Sequence, residues 1–345
     1  MRYNLLGETG LYVSELCLGT MTYGGQGMWS AMGGIKQEDV TVQVKTAFDA
    51  GINFFDSANV YSFGQAESML GAAIKIAGLP RDEIIIATKA TGIMSEQQPN
   101  GRGQSRYHLM NEIDASLKRL QLDHIDLYQL HGFDRLTGFE EVLSTLNDLV
   151  RSGKVRYIGL CNMPAWTIMK ALAISDKRDW ARFESVQSYY TIAGRDLERE
   201  IVPLLLDQKL GLMVWSPLAG GLLSGKYQAD GKGPEGARRT KFDFPVVDKQ
   251  RAYKCIDVMR PIADRLGVSV AQIALAWLLA KPFVTTVIIG AKTHEQLQDN
   301  IAATKVKLTN DDLNALDGVS QLPAEYPGWM LALQGQYRAK PPLKE

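Results

Sequence analysis

A chain of 345 residues with 46% hydrophobic and 22% charged residues has a sizeable core to bury, the composition of a globular protein rather than a disordered one. Lys and Arg number 38, as do Asp and Glu, so nothing draws the chain to a polyanion, and nucleic acid is not an expected partner. Cys17, Cys161 and Cys255 are far apart, odd in number and set among apolar residues, which reads as reduced thiols of a cytoplasmic protein; no run reaches the roughly 18 apolar residues of a membrane span.

In chain order, residues 2–13 read as a small hairpin, because Gly7 and Gly10 flank a turn between two extended pieces. From Leu16 onward short apolar runs alternate with helical patterns. Strands are expected at 16–18, 54–56, 84–88, 125–131, 155–160, 185–189, 211–216 and 286–289. Helices are expected at 40–50, 66–77, 107–120, 138–151, 164–175, 197–208 and 270–280, with an additional one at 250–266. Gly51, Gly78, Gly153 and Gly211 sit where helices should stop.

Apolar strands that do not alternate imply a parallel sheet covered on both faces, and eight β/α units are the number that closes a (β/α)8 TIM barrel. An open doubly wound sheet is the rival. It loses support because GGQGMWSAMGG misses the G-x-G-x-x-G spacing after the first strand. No fixed-period repeat or low-complexity linker divides the chain, so one domain over 1–345 is expected, with a polar, glycine-rich insert at about 220–247 and a loop-like end at about 319–345.

In such a barrel the site lies at the carboxyl ends of the strands. Those ends carry Asp56, Lys89 and His131, and Tyr61 lies in the loop after Asp56. Singly each has an ordinary explanation: a turn cap, a surface lysine, a rim aromatic, a core histidine. Together they converge on one mouth. A zinc site is poorly supported, because His108, His124, His131 and His294 show no H-x-x-x-H pair, and no metal is expected. A Ser-His-Asp hydrolase is poorly served as well, for want of a G-x-S-x-G elbow. An ammonium close to a phenol favours phenolate and should bring the Tyr61 pKa toward neutrality, with Asp56 holding Lys89 charged. Tyr61 then reads as a general acid for a carbonyl under reduction, and His131 as a hydrogen-bond donor to its oxygen.

GINFFDSANVY, IIIATK, IDLYQLH, GKVRYIGLCN, ESVQSYY, WSPLAGGLLSGKY and VIIGAKTHEQLQDN, in that order, resemble the aldo-keto reductase superfamily over Met1 to about Gly318. The resemblance implies a (β/α)8 barrel with an N-terminal hairpin and two extra helices, a catalytic tetrad of Asp56, Tyr61, Lys89 and His131, and NADPH, with NADH tolerated. It places the nicotinamide amide on Asn162 and Gln187, with Cys161 where serine is usual, and the nicotinamide ring on Trp215. Ser216, Pro217, Leu218, Gly220 and Lys226 match the pyrophosphate segment, and Arg238 a cationic contact from the lid. Gly290, Lys292, Gln296, Asp299 and Asn300 match the adenosine-phosphate site, Lys292 taking the 2′-phosphate. Thr20, Met21, Ile289 and Asp56 would border the same cofactor. Trp29, Met28, Trp329 and Tyr326 are candidate substrate walls beside Tyr61 and His131. The implied function is reduction of a small-molecule aldehyde or ketone, the alternative an interaction subunit of the potassium-channel β type with little turnover; self-association stays open.

Overall fold

The computed structural model describes residues 1–227, 233–234 and 238–337, without the side chains of Met28 and Lys241. Parts of the expected insert and the Pro- and charge-rich end at 340–345, read from sequence as frayed, lie outside these residues. A hairpin of β1 (Tyr3–Leu5) and β2 (Tyr12–Ser14) precedes β3 (Leu16–Gly19), α1 (Gln37–Asp49), β4 (Phe54–Asp56), α2 (Gln65–Ala77), β5 (Ile85–Ala90) and α3 (Arg106–Leu120). There follow β6 (Ile125–Leu130), α4 (Phe139–Arg151), β7 (Val155–Cys161), α5 (Ala165–Arg178), β8 (Phe183–Tyr189), α6 (Ile201–Gln208) and β9 (Gly211–Trp215). The one-turn α7 (Arg238–Lys241), α8 (Lys249–Leu266) and α9 (Val270–Leu279) lead into β10 (Thr286–Ile289), α10 (His294–Ala302), α11 (Asn310–Val319) and the short α12 (Gly328–Gln334).

Strands β3 to β10 close into a parallel barrel, β10 pairing with β3, so this is the eight-stranded TIM barrel that the alternating pattern implied. Two apolar layers explain the buried runs. Phe54, Ile85, Ala87, Leu127, Met213 and Ile288 fill the barrel interior, where Leu6 and Val13 of the hairpin close its floor. Their neighbours Phe55, Ile86, Tyr128 and Val214 point outward into the larger layer beneath the helices. This period of two fixes the chemistry above the floor. Counting up two residues from Phe54, Ala87, Leu127 and Met213 brings Asp56, Lys89, Gln129 and Trp215 onto the inward face at the mouth.

Several boundaries differ from the sequence reading. Helix α1 starts three residues earlier than expected, and β5 runs to Ala90, so Lys89 is held within a strand instead of following one. Asp312 and Thr309 form a capping box that starts α11, an element the hydrophobic pattern left unmarked. The expected loop-like end contains α12, a short helix with no buried residue. Among the described residues no single helix is long and apolar enough to cross a membrane.

Helix α2 lies close on the end of α3 because residue 71 is glycine: a Cβ there would sit 2.4 Å from the Leu120 carbonyl oxygen. Gly71→Ala therefore forces these helices apart and destabilises the fold by about 1–3 kcal/mol. Calorimetry of the variant should show a lowered Tm with native helix content; an unchanged Tm would refute the close approach.

Candidate active site

Asp56, at the tip of β4, is the hub. Its Oδ2 accepts from Lys89 Nζ at 2.5 Å, and its Oδ1 accepts from the side-chain amides of Gln129 and Gln187, both at 3.0 Å. The ammonium donates as well to the Ser57 carbonyl at 2.8 Å and faces Tyr61 Oη at 3.4 Å. Lys89 is wholly buried and Asp56 nearly so. A buried ion pair persists when its remaining hydrogen-bonding capacity is filled, and the two glutamines fill it on the carboxylate side.

Tyr61 is reached by a short loop from Asp56. Its ring meets Trp29 edge-on at 5.3 Å between centroids and His131 edge-on at 5.6 Å. His131 follows β6 directly, its backbone N–H donating to the Ala90 carbonyl at 2.9 Å. Three elements therefore set phenol, ammonium and imidazole side by side.

Burial is the strongest influence on the Tyr61 phenol and raises its pKa above 10; Lys89 lowers it without prevailing. The expectation of a phenol drawn toward neutrality is thus reversed, because a site this dry penalises phenolate more than one ammonium already paired with Asp56 can offset. Burial also works against the Lys89 ammonium, but Asp56, then Tyr61, outweigh it and raise its pKa. For His131, burial and then the Lys89 cation push the pKa below 6.5, leaving a neutral imidazole. The group holds one protonated phenol, one fixed cation and one neutral donor.

From this mouth runs a cavity of about 730 Å3, within the roughly 300–1,000 Å3 of ligand sites. Thr20, Met21, Trp29, Asn162 and Gln187 line it near Asp56, Tyr61 and His131. Trp215 stands in its wall, its indole N–H donating to Asn162 Oδ1 at 2.9 Å and one face stacked on Phe244 at 6.0 Å. Ser216, Pro217, Leu218 and Gly220 continue the wall, with Lys226 and Arg238. Neither cation has a carboxylate partner among the described residues; burial lowers the pKa of Lys226, and burial and Arg239 lower that of Arg238. Two desolvated cations in one wall, unpaired among the described residues, suit an anionic group. The far end holds Ile289, Gly290, Lys292, Gln296, Asp299 and Asn300, at the start of α10.

The aldo/keto reductase family profile matches residues 15–321 of this chain, taking in every one of these groups. The chain belongs to the aldo/keto reductase family. Among curated relatives, an uncharacterized oxidoreductase, YrpG, of Bacillus subtilis is 38% identical over 92% of this chain and 96% of its own length. Versiconal hemiacetal acetate reductase of Aspergillus parasiticus is 33% identical over 95% and 99%. A probable voltage-gated potassium channel subunit beta of Oryza sativa subsp. japonica is 33% identical over 93% and 97%. This aldo/keto reductase is accordingly a nicotinamide-dependent oxidoreductase acting on carbonyl compounds.

Within this aldo/keto reductase the cavity brings together every expected cofactor position, and of the substrate walls Trp29, Tyr61 and His131. Trp329 is not among them. It is half exposed, lies edge-on to Tyr326 at 6.1 Å in the C-terminal segment and does not reach the cavity, because α12 packs no residue into the protein. Met28 has no described side chain. Gln187 is engaged with Asp56, and Asp299 accepts from Gln272 Nε2 at 2.6 Å and Ser269 Oγ at 2.8 Å, so both are already held in place. Gln129 went unread. A glutamine within an apolar strand carries no motif, yet its phase, two residues above Leu127, points it at Asp56.

Proposed function

We propose that this protein reduces an aldehyde or ketone with NADPH, Tyr61 supplying the proton. The observation that carries the reading is the buried Tyr61 phenol set 3.4 Å from a buried ammonium at the mouth of the cavity. Bound in that cavity, reduced nicotinamide supplies the hydride for the carbonyl carbon. Tyr61 donates its proton to the carbonyl oxygen, and Lys89, fixed by Asp56, stabilises the phenolate left behind. Neutral His131 donates one N–H to the same oxygen and orients it. In this reading Asn162 and Gln187 take the amide, Trp215 the ring, and Lys226 and Arg238 the anionic pyrophosphate. Trp29 and Met32 in the wall suit an apolar carbonyl substrate.

A second reading, a cofactor-binding interaction subunit, follows from the kinship with the rice protein named as a channel subunit beta. Oxidation of NADPH by a panel of aliphatic and aromatic aldehydes separates the two. Steady turnover is expected, whereas a tightly held cofactor with negligible turnover on every carbonyl would favour the interaction subunit.

Lys292 is the residue read as choosing between cofactors. Its Nζ donates to the Ala31 carbonyl at 3.3 Å, at the cavity end where Thr293 caps α10. Lys292→Ala should weaken NADPH by roughly ten- to a hundredfold, the worth of a charge-assisted contact, and NADH by no more than about twofold. Fluorescence titration with both cofactors measures this, and equal losses would refute the 2′-phosphate assignment.

A further inference from the structure

The segment carrying Tyr61 is strained and held from behind. Ser62, Phe63 and Gly64, directly after it, all have positive φ, at 47°, 53° and 91°. Two of the three are not glycine, and such backbone persists only where its surroundings over-determine it. On one side Ser62 Oγ accepts from the Gly25 N–H at 2.9 Å and donates to the Tyr23 carbonyl at 3.0 Å. The other side is a chain of buried and half-buried polar groups outside the barrel, none of which lines the cavity.

Asn59, two residues before Tyr61 and fully buried, donates through Nδ2 to Glu112 Oε2 at 2.9 Å. Arg119 donates to the same oxygen at 3.5 Å and, through Nε, to Glu67 Oε2 at 2.5 Å. Glu67 is wholly buried and accepts on its other oxygen from Thr88, the neighbour of Lys89. The Arg119 stem crosses the bare face of Gly64, where a Cβ would meet its Cδ at 2.6 Å. The Asn59 backbone N–H donates to the Lys89 carbonyl at 3.0 Å. Helix α3 thereby grips the loop on both sides of Tyr61 and ties it to the strand that carries Lys89.

We propose that Asn59, Glu112, Arg119 and Glu67 form a clamp that sets the Tyr61 hydroxyl against Lys89. They are positioning residues, and the inference rests on Tyr61 as proton donor. Asn59 itself points to this role. Its Oδ1 is buried without a partner among the described residues, so the amide is a poor choice for stability alone, and what it gains is the bond to Glu112.

The test compares Asn59→Ala, Glu112→Ala and Glu112→Gln with the unaltered enzyme. Both alanine variants should lose about ten- to a hundredfold in kcat, the effect of a misplaced group of about 1 Å, with cofactor affinity within about twofold. Glu112→Gln retains an acceptor oxygen for Asn59 and should recover most of the rate. Crystal structures of the alanine variants should show Tyr61 Oη displaced from Lys89 Nζ, a readout that needs no turnover. Wild-type kcat together with an unmoved Tyr61 overturns the clamp. An unaltered enzyme that reduces no carbonyl refutes the proton-donor reading instead, and the Tyr61 position then decides the clamp alone. Should Asn59→Ala fail to fold, Glu112→Ala, on a partly exposed side chain, carries the same comparison.

Discussion

Tyr61→Phe should lower the rate of carbonyl reduction by about 10^2- to 10^4-fold, the range for removing a positioned general acid, while cofactor affinity stays unchanged. The ring keeps its edge contacts with Trp29 and His131, and Lys89 keeps its bonds to Asp56 and Ser57. Only the hydroxyl is lost, with its proton and its contact to Lys89. The direction of the Tyr61 pKa adds a pH signature. Reduction needs the protonated phenol, and burial raises that pKa above 10, so the chemical step should hold level through neutral pH and fall only in strong alkali. Alcohol oxidation needs phenolate and should rise with pH over the same range. Single-turnover rates in both directions check the pair of signs. A Phe variant within a few-fold of the unaltered enzyme, at equal cofactor affinity, would remove Tyr61 from the mechanism.

The barrel was legible because parallel strands covered on both faces become apolar runs, and IIIAT or IDLYQL cannot be mistaken for half-exposed strands. The cluster at the mouth was legible for a related reason: Asp56, Lys89 and His131 interrupt or end such runs, where a polar side chain has no reason to be unless something faces it. Gln129 escaped because a neutral amide inside a strand draws no attention until its inward phase is known. The Tyr61 pKa was misjudged because sequence reports neighbours but not dryness. Counting Lys89 as a nearby cation captured one influence and missed the larger one. Trp329 illustrates the opposite failure, since an aromatic near a chain end reads alike whether it walls a pocket or lies against Tyr326. The clamp behind Tyr61 was invisible for want of tertiary contact: Glu67, Glu112 and Arg119 look like the polar faces of two surface helices, yet Glu67 has no exposure at all.

Lys89→Met carries the largest expected effect on stability. The methionine fills a similar volume but removes what is, among the described residues, the sole side-chain donor to Asp56 Oδ2, because Gln129 and Gln187 both address Oδ1. A carboxylate left buried without its cation destabilises a protein by about 3–5 kcal/mol. Urea unfolding measures the loss. Adding Asp56→Asn should recover part of it, because a neutral asparagine needs no counter-charge. A double variant no more stable than Lys89→Met would mean that Lys89 acts through packing and not as the counter-charge of Asp56. Activity should be lost in both variants, since with no ammonium beside Tyr61 nothing offsets the burial of the phenolate that proton donation creates.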